Sequence, residues 1–303
     1  MFKIRKVEFI NHPILGDLTL DFCDASGHAV DTVIFAGENG VGKSTILNAL
    51  YELSANNTKT ELNLEIERTE GIEVLQYRRD ERNNLIYVFD STKSGYYIGS
   101  DDFKQIYNFH GIFSDVDINF HSNDLSNVTS LALDQKIESR RSSNNLPTEI
   151  KQLLIDIQAL DDADIAYWVK HNFGVNTDKM VISERIPRFT KAFAGMFDNL
   201  EYDRIENVDG HKEILFSKSG HNIPIDALSS GEKQIVYRGC FLLKDANAMN
   251  GAFVFIDEPE ISLHPKWQMK VMDYYKGIFT DESGKQTSQI FAVTHSPFII
   301  HNE

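Results

Sequence analysis

A chain of 303 residues that is 42% hydrophobic, 25% charged and 11% aromatic has a globular profile, with a core for one large domain or two modest ones. No apolar run approaches the ~18 residues of a membrane span, MFKIRKVEFINH has no secretion-signal pattern, and two cysteines, Cys23 and Cys240, are too few for a disulfide framework or a metal site; a reducing cytoplasm and no membrane are expected. The formal charge of −15 excludes a generally basic nucleic-acid face, leaves only local patches at Arg78, Arg79 and Arg82 or at Arg140 and Arg141, and suits attraction to a basic partner protein.

In chain order, residues 3–9 and 18–22 alternate polar and apolar positions, and the apolar run 33–35 suits a short buried strand. GENGVGKST, residues 37–45, follows directly, and Ile46, Leu47, Leu50 and Leu53 then form a helical stripe. ELNLEI, IEVLQY, LIYVF and GYYI, separated by turn-formers, predict an antiparallel patch over 61–98. Residues 121–148 are rich in Ser, Asn and Asp and read as a mobile connection. EIKQLLIDIQAL, DIAYWVKHNF and SERIPRFTKAFAGMF predict helices; a return to strand at 214–216 precedes a helix near 231–245. The end runs strand 252–256, helix 265–279, strand 289–293. The expected class is α/β, a nucleotide-type core with a β patch and a helical insertion, divided as 1–120, 121–205 and 206–303.

Gly37-x-x-x-x-Gly42-Lys43-Ser44 fits a phosphate-binding loop set between strand and helix. Glycines let the backbone turn its N–H groups toward a ligand, and the helix start adds unsatisfied N–H groups and a positive dipole end. Gly37, Glu38, Asn39, Gly40, Val41, Gly42, Lys43, Ser44 and Thr45 are therefore the expected ATP-binding residues, with Lys43 on the β/γ oxygens. Ser44 and Asp257 are the expected Mg²⁺ ligands. AFVFIDE, 252–258, is an apolar strand ending in two acids; Glu258 is placed to polarise a water as general base. AVTHS, 292–296, sets His295 at the end of a third apolar strand, toward the γ-phosphate. LSSGE, 228–232, opens a helix either as a capped start or as an anion site, and both readings can hold together.

These pieces in this order resemble the ABC-type ATPases. GENGVGKST looks like their Walker A, LSSGE like the signature, with Ser230 and Glu232 replacing glycine and glutamine, VFIDE like Walker B and AVTHS like the switch-histidine motif. The resemblance implies an ABC-type P-loop core binding ATP and Mg²⁺, with Glu258 and His295 catalytic. It also implies that two copies pack head to tail, so that Ser229, Ser230, Gly231 and Glu232 of one meet the nucleotide on the other. Phe9-Ile10-Asn11 and DEPEISLHPKWQ, 257–268, are similar to the soluble RecF-, SMC- and OLD-like group rather than to transporters. Within it the chain looks most like the ATPase subunit of Septu-type antiphage modules, which also accompany some retrons and work with a separate HNH nuclease. Nucleic acid would then be met directly or through that partner.

Two features depart from the pattern. No Q-loop glutamine is evident; IFSDVDINF, 112–120, offers Asp115 and Asp117 there, read as a polar strand end. The sequence stops eight residues after His295, so a longer native chain is expected. The alternatives are the ATPase half of an OLD-type nuclease, whose TOPRIM domain would follow residue 303, and a RecF-like DNA-repair clamp.

Overall fold

The computed structural model describes residues 2–80, 85–92, 96–98, 106–107, 109–116, 120–129, 133–134, 138–176, 185–244 and 251–301. The N-terminal part runs β1 (Lys3–Ile10), β2 (Thr19–Asp21), β3 (Thr32–Ala36) and α1 (Lys43–Ser54). Then come β4 (Glu61–Arg68), β5 (Gly71–Arg79), β6 (Ile86–Asp90), β7 (Tyr96–Ile98), β8 (Gly111–Ser114) and β9 (Arg140–Arg141). The middle holds α2 (Leu146–His171), α3 (Ile186–Ala194), β10 (Leu200–Val208), β11 (His211–Lys218) and β12 (His221–Pro224). The chain ends with α4 (Ser230–Leu243), β13 (Phe253–Asp257), α5 (Pro265–Gln268), α6 (Val271–Ile278), β14 (Gln289–Thr294) and α7 (Pro297–Ile300).

Five strands form a parallel sheet in the order β3-β14-β13-β8-β9. β13 and β14 are buried throughout, which is why both read as continuous apolar runs. β3 lies at the edge and is only half buried, where a buried strand was predicted. Side chains alternate across this sheet. Phe113, Phe253, Phe255 and Phe291 face α1 and the antiparallel sheet β2-β1-β4-β5-β6-β7. Ile112, Val254, Ile256, Ile290 and Ala292 face a layer of helices that includes α2, α3, α4 and α6. A buried Gln289 bonds the two sheets: its Oε1 accepts from Ile4 N at 2.7 Å and its Nε2 donates to Ile4 O and Val30 O.

Several expectations change. α2 is one 26-residue helix where two were predicted. The Asp161-Asp162 stretch does not break it, because Asp161 is buried and accepts from Arg185 N, Ile186 N and the Arg185 guanidinium, closing the start of α3. The predicted helix 265–279 divides into α5 and α6. At the break Lys270 N bonds Trp267 O, an i→i+3 tightening, while the Trp267 ring is held edge-on to Phe197. Described residues of the expected mobile connection are docked: Thr129 N bonds Asp156, Leu125 O accepts from Lys212 N, and Arg140–Arg141 join the parallel sheet.

The candidate basic patches are likewise committed. Arg78 bonds Leu62 O and Asn63, Arg79 bonds Lys59 O, Arg140 bonds Phe241 O and Leu242 O, and Arg141 bonds Asp115 and Asn48. Arg82 and Asp117 lie outside the described residues.

Candidate functional site

The parallel register aligns three strand ends: Thr294 pairs with Ala36, and Asp257 with Val293. Everything the sequence marked on β3, β14 and β13 therefore emerges at one rim. The loop after β3 turns into α1 through Gly42, at φ 92°, a left-handed conformation that suits glycine. Behind it Lys43 is buried, and its Nζ donates to Gly37 O at 2.9 Å and Glu38 O at 2.6 Å. No carboxylate pairs with this ammonium among the described residues. A buried cation held only by neutral carbonyls, at a helix start, is complementary to an incoming anion.

Beside it, Ser44 Oγ donates to Asp257 Oδ1 at 3.4 Å. Burial pushes the Asp257 carboxyl above its ordinary value and the charges of Glu258 and Asp115 add to this, against the Ser44 hydroxyl and Arg238. Among the described residues no group of three His, Cys, Asp or Glu could hold a metal by itself. A hydroxyl, one carboxylate and phosphate oxygens make the mixed oxygen set that Mg²⁺ accepts, so these residues fit that ion.

Glu258 sits at φ 45°, uncommon for a residue with a side chain. Its N–H donates to Val293 O at 2.9 Å and its carbonyl accepts from Arg238 Nη1 at 3.2 Å, holding the turn. His295 Nε2 lies 3.7 Å from Glu258 Oε1. His295 also lines one open pocket with Gly37, Glu38, Asn39 and Ile300. His295 and the start of the expected phosphate loop thus share one opening, and Glu258 stands beside it as the neighbour of His295.

Ser229, Ser230, Gly231 and Glu232 do not line that pocket. Ser229 caps α4 in a full capping box: its Oγ accepts from Glu232 N, and Glu232 accepts from Ser229 N at 2.9 Å. Burial alone would raise the Glu232 carboxyl; Lys218 and the Ser229 N–H and hydroxyl outweigh it and hold the group below its ordinary value. Ser230 is exposed. At Gly231 a Cβ would meet Ser262 O at 2.8 Å and the Trp267 ring at 3.2 Å, so glycine permits a close helix-to-loop approach.

Three residues had no site role in the sequence reading, although Glu260 and Gln268 lie within DEPEISLHPKWQ. Arg238 is fully buried and donates to the carbonyls of Asp115, Asp257 and Glu258. Glu260 Oε1 accepts from His295 N at 2.7 Å and Ser296 N at 3.0 Å. Gln268 Oε1 accepts from Ser296 Oγ at 2.6 Å. A lone arginine in the apolar stripe IVYRGCFLL was a usable signal; the reach of Glu260 across 35 residues was not. Asp115, at the expected Q-loop place, has its carboxylate taken by Arg141.

Residues 33–301 match the family described as "AAA domain, putative AbiEii toxin, Type IV TA system", and the chain belongs to it. Among individual proteins it is similar to "Retron Vc95 probable ATPase" of Vibrio cholerae, 24% identical over 67% of this chain and 37% of that protein. It is also similar to "Septu protein PtuA" of Bacillus thuringiensis, 28% identical over 46% of this chain and 33% of that protein. The chain thus spans about a third of the length of these curated relatives. An SMC head domain from Thermotoga maritima shares the fold, with TM-score 0.55 and 13% identity over 99% of this chain and 92% of that one. No helix among the described residues is long and apolar enough to cross a membrane.

Proposed function

We propose that the chain is the ATP-binding and hydrolysing part of an antiphage defence complex, in which two copies close head to tail around nucleotide and control a separate HNH nuclease. One observation carries this reading: Lys43, Ser44, Asp257, Glu258 and His295 gather at one rim of the parallel sheet, with His295 3.7 Å from Glu258. The retron and Septu relatives support the defence setting.

In this reading Lys43 exchanges its loop carbonyls for β/γ-phosphate oxygens, and the N–H groups of 40–45 wrap the phosphates. Ser44 and Asp257 would hold Mg²⁺, which supplies a Lewis-acid charge on the phosphate oxygens when bound. Glu258 takes the proton of the attacking water at its carboxylate, and His295 keeps water and phosphate in line. The second copy brings Ser229, Ser230, Gly231 and Glu232. A cytoplasmic setting and nucleic-acid contact through the nuclease belong to the same proposal, as does the three-part division at residues 120 and 205.

The test is Ser229→Arg, measured by equilibrium ATP binding and by sedimentation with ATP. Retained binding with loss of ATP-dependent pairing is expected. Unchanged pairing would remove the trans arrangement. Co-purification with the neighbouring gene product tests the nuclease assignment, and DNA cleavage by the ATPase alone would overturn it.

A further inference from the structure

The segment from Asp257 to Gln268 touches both halves of the proposed site. On one side α4 lays a single face along it, at positions spaced three and four apart. Arg238 holds the carbonyls of Asp257 and Glu258, Gln234 Nε2 donates to Pro259 O at 3.1 Å, and Gly231 abuts Ser262 and Trp267. On the other side the same segment grips the turn after β14. Glu260 Oε1 accepts both the His295 and Ser296 N–H groups. Gln268 takes the Ser296 hydroxyl on Oε1 and anchors its own Nε2 to Leu263 O at 2.9 Å. Ser296 Oγ in turn accepts from Phe298 N at the start of α7.

We propose that Glu260 and Gln268 are positioning residues: they fix the His295–Ser296 backbone so that the imidazole faces Glu258, and they tie that orientation to the N-terminal end of α4. This rests on the ATPase reading. Two N–H groups converging on one carboxylate oxygen define the peptide planes of both residues, and those planes set where the His295 side chain leaves the backbone. Neither Glu260 nor Gln268 lines the pocket with Gly37 and His295, so they act through the turn and not on the nucleotide. Because Gly231 packs against Ser262 and Trp267 of this segment, the start of α4 and the turn that carries His295 share one support.

The experiment is steady-state ATPase kinetics on Glu260→Ala, Glu260→Gln, Gln268→Ala, His295→Ala and the double variant Glu260→Ala/His295→Ala, with ATP binding in parallel. Glu260→Ala should lower kcat roughly 10- to 100-fold, the cost of a misplaced catalytic group, with KM within about twofold. Glu260→Gln keeps an acceptor oxygen and should restore most of kcat. Gln268→Ala, which touches the turn only through Ser296 Oγ, should lose less. The double variant should be no slower than His295→Ala alone, a non-additivity that a loss of folding would not produce. Wild-type turnover with an unchanged Glu260→Ala, or additive losses in the double variant, would overturn the positioning role alone. A wild-type chain with no magnesium-dependent ATP binding would overturn the ATPase reading, and this proposal with it.

Discussion

The two faces of the parallel sheet are built from different chemistry. On one, Phe255 stacks on Phe291 at 5.5 Å and 15° and on Phe113 at 6.1 Å and 23°, with Tyr51 of α1 edge-on to Phe113. On the other, Val254, Ile256, Ile290 and Ala292 meet the helical layer containing α4. Flat rings give α1, and hence the phosphate loop at its start, a rigid floor. On the helical side Arg238 of α4 reaches three carbonyls at the strand ends. One sheet therefore locates two helices with different packing: the start of α1 and, midway along α4, Arg238 meet the same rim, while the start of α4 does not line the pocket.

The strongest test of that convergence is Glu258→Gln. If Glu258 is the base proposed above, its removal should slow ATP turnover by about 10²- to 10⁴-fold while leaving binding intact; an undiminished single-turnover rate would take Glu258 out of the mechanism. Next come the faces themselves. Phe255→Ala should cost about 3–5 kcal/mol in urea unfolding, against about 0.5–1.5 kcal/mol for Ile256→Val, because the ring leaves a cavity its neighbours cannot fill. A loss for Phe255→Ala no larger than that of Ile256→Val would mean that the surrounding rings collapse into the space it leaves. Lys43→Ala, on the aromatic side, should weaken ATP binding by about 1.5–3 kcal/mol, read by calorimetry, without altering the α4 side.

The smallest effect is on stability at Asp257. Its carboxyl is raised in the folded state, chiefly by burial. The stability it favours is present below the unfolded pKa and lost as pH rises through the folded one, so at neutral pH the buried charge is a cost. Asp257→Asn should raise the thermal midpoint of the nucleotide-free protein at neutral pH, with the gain shrinking on acidification. A gain independent of pH would assign it to packing instead.

Much of this was legible in the chain. Phosphate loop, acidic strand end and strand-end histidine each carry a local signature, because a short loop between a strand and a helix must be written with particular residues. Of the parallel strands, β3, β13 and β14 were legible as apolar runs; β9, inside the stretch read as a connection, was not. What escaped was long-range. Arg238 has no local motif, since its partners are backbone carbonyls, one of them 123 residues away. The continuity of α2 between the two predicted helical stretches was not legible, because the role of Asp161, closing α3, depends on residues 24 and 25 positions later. The Ser/Asn-rich stretch 121–148 suggested freedom, yet polar residues serve as well for pinning a segment, as Thr129 on Asp156 shows.

Lys43 offers a last lesson in how the loop is braced. Its ammonium holds Gly37 O and Glu38 O, so the loop's own backbone supplies the partners of the cation. Any anion that enters must persuade that hand to change its grip, trading two neutral acceptors for charged ones. On the proposed function, recognition would be an exchange of partners rather than the filling of a gap, the ligand chosen by how much better it is than the protein's own backbone.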